Sequence, residues 1–316
     1  MVPLAPRGRG RAILWGQRVL AIPSGALLVL ALPPVSAWWL GFIGAAPALV
    51  IWRSARSGRD AAVRGAFAGA GFFGLVYHWL IRHVGVFSLP MAFALGLLWA
   101  PLGWIAWRAL RPPLSPARAA AALAVVPSAW VAVEFIRSWD RLAGPWGVLG
   151  ASQWQVQPVL ALASLGGVWA LSFLLALTST AATIAAAPDS PRLARGGALA
   201  VAALALGGAV TYGAARIPPP TVGELRVTAV QPGLIADPQE RFAWQLQQTR
   251  DAAGEGTDLI VWGQRSVPYD IQAHPQIQAE IAAAARAAGA PLLVQSDILG
   301  DDGYRRAALL VAPDGV

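Results

Sequence analysis

The chain has no cysteine and no lysine, and only 13% of its 316 residues are charged. The absence of cysteine excludes disulfide bonds, thiolate metal sites and a cysteine nucleophile within this sequence. The absence of lysine excludes a Schiff base and an ammonium group that stabilises an oxyanion. Globular domains carry about twice this fraction of charged residues. The low charge therefore argues against an ordinary globular protein.

Apolar residues make up 56% of the sequence, and the mean hydropathy is +0.54. Both values favour an integral membrane protein. All 24 basic residues are arginine, and the formal net charge is +8. A basic chain is often a nucleic-acid binder. Here the arginines lie between apolar stretches, so we expect membrane topology and no nucleic-acid partner.

Six apolar stretches predict a multi-pass α-helical membrane bundle of seven spans, because about 20 residues at 1.5 Å each cross a bilayer. Pro33-Pro34 divides the first long stretch into two short spans, since a proline pair breaks a helix. The predicted spans are residues 15–32, 37–52, 65–81, 84–107, 119–133, 158–186 and 196–215.

The arginines predict the orientation of these spans. Thirteen arginines lie at the N-terminus (up to Arg18) or in alternate loops, and four lie in the opposite loops or at the last boundary. Cytoplasmic loops collect arginine, so the N-terminus is predicted to be cytoplasmic. No small-residue cleavage site precedes Pro33-Pro34, which favours an uncleaved first helix over a signal peptide. The loop after the second span is expected to carry Arg53, Arg56, Arg59 and Arg64.

Pro218-Pro219-Pro220 predicts a stiff linker between a transmembrane domain, residues 1–217, and an extracytoplasmic α/β domain, residues 218–316. In the second domain Asp237 is expected to cap a helix that Gly254 and Gly256 stop. A second helix is predicted from about residue 275 to residue 289. The predicted strands are residues 225–231, 259–262, 291–295 and 306–311.

Pro313-Asp314-Gly315 indicates a turn one residue before the sequence stops. A hairpin without its return strand leaves an open sheet edge, which complete domains avoid. We therefore expect the second domain to be partial.

One candidate site is the run Asp258-Leu259-Ile260-Val261-Trp262-Gly263-Gln264. A buried strand that ends in a polar residue and a turn is how α/β enzymes place chemistry at strand tips. Gln264 occupies that tip. A glutamine amide can hold a substrate by hydrogen bonds, but it cannot accept a proton as a base. The structural alternative is that this run is an ordinary buried strand without a catalytic role.

A second candidate site follows the fifth span. Glu134 and Arg137 are three residues apart and therefore share one helix face. Pro145 and Trp146 follow in an uncharged, glycine-rich loop. Ionisable groups at membrane depth are costly and are functional candidates. The structural alternative is an ion pair that holds a re-entrant loop, and Trp146 would then be an interfacial aromatic residue.

The strand that ends at Trp262 and Gln264 resembles the strand that carries the catalytic glutamate in the nitrilase (carbon–nitrogen hydrolase) superfamily. Seven helices, the Glu134 to Trp146 segment and a nitrilase-like domain together resemble the apolipoprotein N-acyltransferase family. Two further segments are similar to that family, Leu32-Pro33-Pro34 with Trp38-Trp39 and Gly71-Phe72-Phe73-Gly74 with Tyr77-His78-Trp79. The resemblance implies a bundle followed by a partial nitrilase-like α/β sandwich.

The resemblance also implies a Glu-Lys-Cys triad. The cysteine takes an acyl chain from a phospholipid donor and passes it to the amine of a diacylglyceryl-cysteine lipoprotein acceptor. A thiolate needs an activating base, and the family's glutamate falls on Gln264. The lysine and cysteine would lie beyond Val316. The chain is therefore expected to be inactive as written, with no metal and no cofactor.

The resemblance implies a bacterial cytoplasmic (inner) membrane location with the nitrilase-like domain outside. Two other functions stay open. One is a non-catalytic membrane homologue that binds lipid or partner proteins. The other is a membrane-tethered nitrilase-type amidase.

Overall fold

The computed structural model describes residues 15–139, 142, 144–216, 222–264, 266–300 and 303–314. The chain divides into two compact units, with the boundary between residues 217 and 218. The predicted linker Pro218-Pro219-Pro220 lies outside the described residues. The first unit is helical, and the second contains a small sheet.

Eleven α-helices with full bounds build the described part of the first unit, after a helical stretch at residues 15–19. They are α1 Ala21–Val29, α2 Leu40–Ile43, α3 Ala46–Arg53, α4 Gly58–Val76, α5 Ile81–Val84, α6 Ser88–Gly96, α7 Ala100–Leu110, α8 Pro116–Arg137, α9 Gln157–Leu160, α10 Ala163–Ala186 and α11 Arg192–Ala214. Short 3-10 turns at residues 78–80, 85–87, 97–99 and 149–153 join or flank them.

Four helical runs in the described part of the chain are long and apolar enough to cross a membrane. They are His78–Leu110, Pro116–Arg137, Ala163–Ala186 and Arg192–Ala214. These runs overlap the last four of the seven predicted spans. The first three predicted spans stay predictions, since the shorter apolar run Leu40–Arg53 and α4 do not meet the same measure.

The helices of the first unit pack closely through small residues. A Cβ atom on Gly25 of α1 would lie 1.8 Å from the Ala68 carbonyl oxygen of α4. Conversely, a Cβ atom on Gly71 of α4 would lie 2.0 Å from the Ile22 carbonyl oxygen of α1. Only glycine fits these two positions, and small residues at helix contacts are the usual device in membrane bundles.

The structure corrects the placement of Arg59 and Arg64, which lie in α4 and not in a loop. The helix begins earlier than the predicted residue 65, because the Ser57 hydroxyl accepts a hydrogen bond from the Asp60 backbone N–H and caps it. Arg64 is completely buried, and its Nη2 lies 2.7 Å from Asp60 Oδ2. Arg18 Nε lies 3.0 Å from the other Asp60 oxygen. The Asp60 carboxylate offsets the charge of the buried Arg64, so this arginine did not end the helix.

The second unit is a four-stranded sheet with two helices. Strands β1 Val227–Val230, β2 Leu259–Trp262 and β3 Leu292–Gly300 run parallel, and β4 Gly303–Val311 is antiparallel to β3. Helix α12, Pro238–Asp251, connects β1 to β2, and α13, Pro275–Ala288, connects β2 to β3. The parallel order requires such crossovers.

Local signals placed much of this unit correctly. Asp237 Oδ1 accepts hydrogen bonds from the backbone N–H groups of Gln239 and Glu240, as a helix cap does. Gly289 ends α13 with φ of +71°. The third and fourth strands are longer than predicted, because residues 296–300 pair with residues 303–307.

We expect Asp60→Asn to destabilise the first unit by about 3–5 kcal/mol, because it leaves the buried Arg64 guanidinium without its counter-charge. Denaturant unfolding of the detergent-solubilised chain measures this change. Asp189→Asn is the control, since the Asp189 pair with Arg53 is partly exposed and such pairs contribute less than about 1 kcal/mol. Equal effects of the two substitutions would show that the Asp60 cluster does not stabilise the fold.

Candidate functional site

The tip of β2 is fixed by a buried tryptophan. Trp262 is 4% exposed, and its Nε1 donates to Thr249 Oγ1 of α12 at 2.8 Å. The Thr249 hydroxyl donates in turn to the Gln245 carbonyl oxygen. The Phe242 ring meets the Trp262 ring edge to face, with 5.8 Å between centroids. Trp262 is thus a packing and hydrogen-bonding residue that orients the end of the strand.

Gln264 follows two residues after Trp262, in a turn, and its side chain is exposed. Gly263 between them faces the end of β1, since a Cβ atom there would lie 3.2 Å from Gln231 Oε1. Gln231 and Gln264 therefore both follow parallel strands at the carboxyl edge of the sheet. This is the edge at which open α/β sheets bind ligands. Arg265 lies outside the described residues.

The segment after Gln264 is fastened to β3 by two serines that the sequence reading did not single out. The Gln295 backbone N–H donates to Ser266 Oγ at 2.9 Å. Ser296 Oγ donates to the Tyr269 carbonyl oxygen at 2.7 Å and accepts from the Ile271 backbone N–H at 3.2 Å. Both serines are buried. No sequence signal marks them, because their partners are backbone groups about 30 residues away.

Asp270 closes the same segment against the far end of β3. Its Oδ2 accepts from the Leu299 backbone N–H at 2.9 Å, and its Oδ1 accepts from Gln272. The Leu299 hydrogen bond lowers the pKa of the Asp270 carboxyl below its ordinary value. The backbone N–H groups of Gln272 and Ala273 and the charge of His274 act in the same direction.

A cleft of about 530 Å³ lies beside this segment. Polar side chains of Arg241, Tyr269, Asp270 and His274 line it together with apolar residues. Gln264 is not among the lining residues described. Within the described part of the chain, no cluster of three or more histidine, aspartate or glutamate side chains could hold a metal ion.

Glu134 lies in the last turn of α8 and is 4% exposed. Its Oε1 accepts from the Trp130 indole N–H at 3.1 Å and from the Leu149 backbone N–H at 2.8 Å. The neighbouring Gly150 backbone N–H donates to Ser172 Oγ of α10 at 2.9 Å. Glu134 therefore ties the start of the 149–153 turn to the end of α8.

Arg137 ends α8 and is 1% exposed. Its Nη1 donates to the Gly144 carbonyl oxygen at 3.0 Å and to the Trp146 carbonyl oxygen at 2.5 Å. Its guanidinium lies over the Phe73 ring, 5.3 Å from the centroid. Neither Glu134 nor Arg137 takes part in the ion pairs found among the described residues. The ion pair of the structural alternative is therefore not found there, and each residue instead makes its own contacts to the loop, which we call the anchored segment (residues 144–153).

Pro145 and Trp146 lie at the exposed outer edge of the anchored segment. Trp146 is 57% exposed, and its ring centroid lies 5.7 Å from that of Trp79. The next residue, Gly147, has φ of +72°, and a Cβ atom there would lie 2.9 Å from Val76. A larger residue would therefore push the segment off α4.

Trp146 and Trp79 border an apolar groove of about 520 Å³. Its other described walls are residues 29–35 without Ala31, residues 75, 76 and 78, Gly147 and Ala151. Gln153 Nε2 donates to the Trp38 carbonyl oxygen at 2.9 Å and so ties the anchored segment to the chain next to this groove. The structure brings together Glu134, Arg137, Pro145 and Trp146, whereas Trp262 and Gln264 belong to the second unit.

Apolar helices that can cross a membrane, together with a small, mostly parallel sheet, define a membrane protein with an α/β unit. The sequence model of the apolipoprotein N-acyltransferase N-terminal domain matches residues 24–181. That range is half of the chain and includes α8 and the anchored segment. The chain belongs to the apolipoprotein N-acyltransferase family.

Curated relatives carry the same family name. An apolipoprotein N-acyltransferase of Pseudomonas aeruginosa (strain LESB58) is 34% identical over 285 residues, covering 80% of this chain and 52% of the relative. That of Azotobacter vinelandii is 34% identical over 281 residues, with the same coverage. That of Geobacter metallireducens is 26% identical over 323 residues, covering 94% of this chain and 61% of the relative. The chain spans about half the length of the first two.

We expect Arg137→Gln to release the anchored segment, because two charge-assisted hydrogen bonds to carbonyl oxygens are lost at a cost of about 2 kcal/mol. The chain has no native cysteine, so Ser152→Cys introduces a single buried thiol into this segment. Its maleimide labelling should rise at least about tenfold when Arg137→Gln is added, since labelling follows local opening.

Arg82→Gln is the matched control, because Arg82 is exposed and no contact of its side chain is found among the described residues. It should leave the labelling of Ser152→Cys unchanged. Equal labelling with and without Arg137→Gln would contradict the anchoring role.

The lowered pKa of Asp270 makes its contribution to stability depend on pH. A depressed folded-state pKa stabilises the fold above the ordinary value of about 4, and this contribution is lost as pH falls through the folded-state pKa. We expect the unfolding free energies of wild type and Asp270→Asn to differ by a constant amount above about pH 5 and to converge at lower pH. Tryptophan fluorescence during denaturation measures both. A difference that does not change with pH would refute this role of Asp270.

Proposed function

We propose that this chain belongs to a protein that transfers an acyl chain from a phospholipid to the N-terminal amine of a diacylglyceryl-cysteine lipoprotein. The observation that carries the proposal is family membership, with the N-terminal domain match at residues 24–181. Relatives named apolipoprotein N-acyltransferase extend the similarity to 80% or more of the chain. The donor, the acceptor and the acyl transfer itself belong to the proposal.

We infer the topology in the same way. Seven spans with a cytoplasmic N-terminus would put the second unit on the outer side of a bacterial cytoplasmic membrane. The four apolar helical runs and the shorter run Leu40–Arg53 support a multi-pass bundle. The parallel β1, β2 and β3 with their crossover helices support the start of a nitrilase-like domain in residues 218–316.

We propose the groove beside Trp146 and Trp79 as the place where a lipid acyl chain enters. Its described lining is mainly apolar and aromatic, and its volume of about 520 Å³ is in the range of small-ligand sites. One wall is the anchored segment, whose backbone is hydrogen-bonded to the side chains of Glu134 and Arg137. A fixed wall lowers the entropy cost of binding a flexible chain. Glu134 and Arg137 would then serve function through a structural role, because they hold the loop that forms the wall of the groove.

Gln264 limits what the proposed site can do. It follows β2 at the carboxyl edge of the sheet, where the resemblance puts a glutamate that activates a thiol. Its neutral amide donates and accepts hydrogen bonds but does not take up a proton near neutral pH. A missing general base typically costs about 10²–10⁴ in rate. We therefore propose that the chain with Gln264 is a poor or silent catalyst.

The second candidate function is a non-catalytic member of the family that binds lipid or partner proteins. The residue that favours it is Gln264, since the groove beside Trp146 needs no base to hold a lipid. A membrane-tethered amidase of the nitrilase type would need the same base, so Gln264 weighs against it equally.

The test compares Gln264 with Gln264→Glu in a protein that carries this chain and any residues that follow it in its reading frame. Each is supplied with phospholipid vesicles and a diacylated lipoprotein, and mass spectrometry measures N-acylation of the lipoprotein. We expect Gln264→Glu to raise the rate by about 10²–10⁴-fold, the usual contribution of a general base. Gln264→Ala is the control and should not raise it.

Equal rates for Gln264 and Gln264→Glu would show that residue 264 is not the base position. No transfer by either protein would overturn the proposed acyl transfer. Retained binding of phospholipid in that case would favour the non-catalytic alternative.

A further inference from the structure

A second apolar groove, of about 420 Å³, lies between α7 and α8 on the first unit. It does not share residues with the groove beside Trp146. Its walls are apolar except for two arginines at one end, Arg108 in the last turn of α7 and Arg118 in the first turn of α8. The apolar walls are Trp104, Ile105, Ala109, Ala121, Ala122, Val125 and Ala129.

Arg118 is held in place at the rim of this groove. Its Nη1 donates to the Pro113 carbonyl oxygen at 2.6 Å. Its Nη2 donates to the carbonyl oxygens of Arg108 at 3.2 Å and Ala109 at 3.4 Å. These neutral acceptors fix the guanidinium without removing its charge. The arginine is therefore a preorganised cation.

Two further cations stand close to Arg118 in the sequence. Arg108 is exposed, and no contact of its guanidinium is found among the described residues. The guanidinium of Arg111 lies over the Trp107 ring, 4.8 Å from the centroid. None of the three arginines takes part in the ion pairs found among the described residues. The charged end of the groove therefore lacks a protein counter-ion in this part of the chain.

The length of the groove matches one leaflet of a bilayer. From Arg118 to Ala129, α8 advances 11 residues, or about 16 Å at 1.5 Å per residue. Half of a hydrocarbon core is about 15 Å thick. A lipid whose headgroup meets the arginines would thus lay its acyl chain along the apolar walls.

The opposite face of α8 offers a built-in comparison. A smaller groove of about 130 Å³ lies between α8 and α11 near the same end of α8. Ala120 lines this uncharged groove, whereas the adjacent Ala121 lines the groove with the two arginines. No charged residue lines the smaller groove among the described residues. The two grooves therefore differ in charge at nearly equal depth.

We propose that the groove between α7 and α8 is a binding site for an anionic phospholipid, whose phosphate headgroup contacts Arg108 and Arg118. Basic pockets between membrane helices recognise acidic headgroups in this way. The site is separate from the proposed acyl-donor groove and does not depend on acyl transfer. A bound lipid here supplies the missing counter-ion and fills the cleft between the two helices.

The test uses the absence of native cysteine. A fluorophore is attached to Ala121→Cys in one protein and to Ala120→Cys in the other, in the full chain. The proteins are placed in phosphatidylcholine vesicles that contain increasing fractions of phosphatidylglycerol brominated on its acyl chains. Brominated phosphatidylcholine is the neutral comparison. Quenching reports contact of the acyl chain with the labelled groove.

We expect half-maximal quenching at Ala121→Cys at an about fivefold lower fraction of the anionic lipid than of the neutral one, as for one or two arginines at a lipid surface. Ala120→Cys should show no preference. Arg108→Gln should reduce the preference at Ala121→Cys, and it leaves the backbone contacts of Arg118 intact. Arg118→Gln should reduce the preference further. If Arg118→Gln does not fold, Arg108→Gln still tests the proposal.

Equal quenching by both lipids at Ala121→Cys would overturn the proposal. An equal preference at Ala120→Cys would also overturn it, because general charge attraction would then explain the effect. Inorganic phosphate at millimolar concentration should leave the preference unchanged. Its loss under phosphate would identify a free-anion site and would likewise contradict lipid binding.

Discussion

The contacts of Glu134 and Arg137 to the backbone of the anchored segment fix one end of the first unit. Both side chains are buried. Glu134 accepts a hydrogen bond from the Leu149 backbone N–H, and Arg137 donates to the carbonyl oxygens of Gly144 and Trp146. An unpaired buried charge costs several kcal/mol, so the helix end and the segment stabilise each other. Trp146 stands beside Trp79 because the segment is held there. The groove under these rings depends on the same contacts.

Two further arginines among the described residues, the buried Arg64 and the half-buried Arg118, are held by the same kind of contact. Arg64 donates to the Ile51 carbonyl oxygen and to Ser54, and Arg118 donates to three carbonyl oxygens. Arginine suits this use, because its planar group carries five donors and keeps its charge. A chain without lysine thus has a cation that can join helix ends, although the sequence alone does not show which arginines do so.

Patterns that act over a few residues predicted the fold well. The apolar run 259–262, the cap at Asp237 and the stop at Gly289 gave elements that agree with the structure. Contacts between residues far apart in the chain could not be predicted from these local patterns. Asp60 offsets Arg64 and meets Arg18 from 42 residues away, so charge did not exclude Arg64 from a helix. Ser266 and Ser296 fasten the segment after Gln264 through backbone partners, which composition does not reveal. Glu134, Arg137 and Trp146 were predicted as one group, but their partners were not.

Amide hydrogen exchange at Leu149 and Gly150 tests the central claim most directly, in wild type and in Glu134→Ala. The Leu149 N–H donates to Glu134, whereas the Gly150 N–H donates to Ser172. We expect both amides to exchange slowly in the wild type, and Glu134→Ala to accelerate Leu149 more than Gly150. Fast exchange of Leu149 in the wild type, or no change in the variant, would contradict the account in which Glu134 holds the anchored segment.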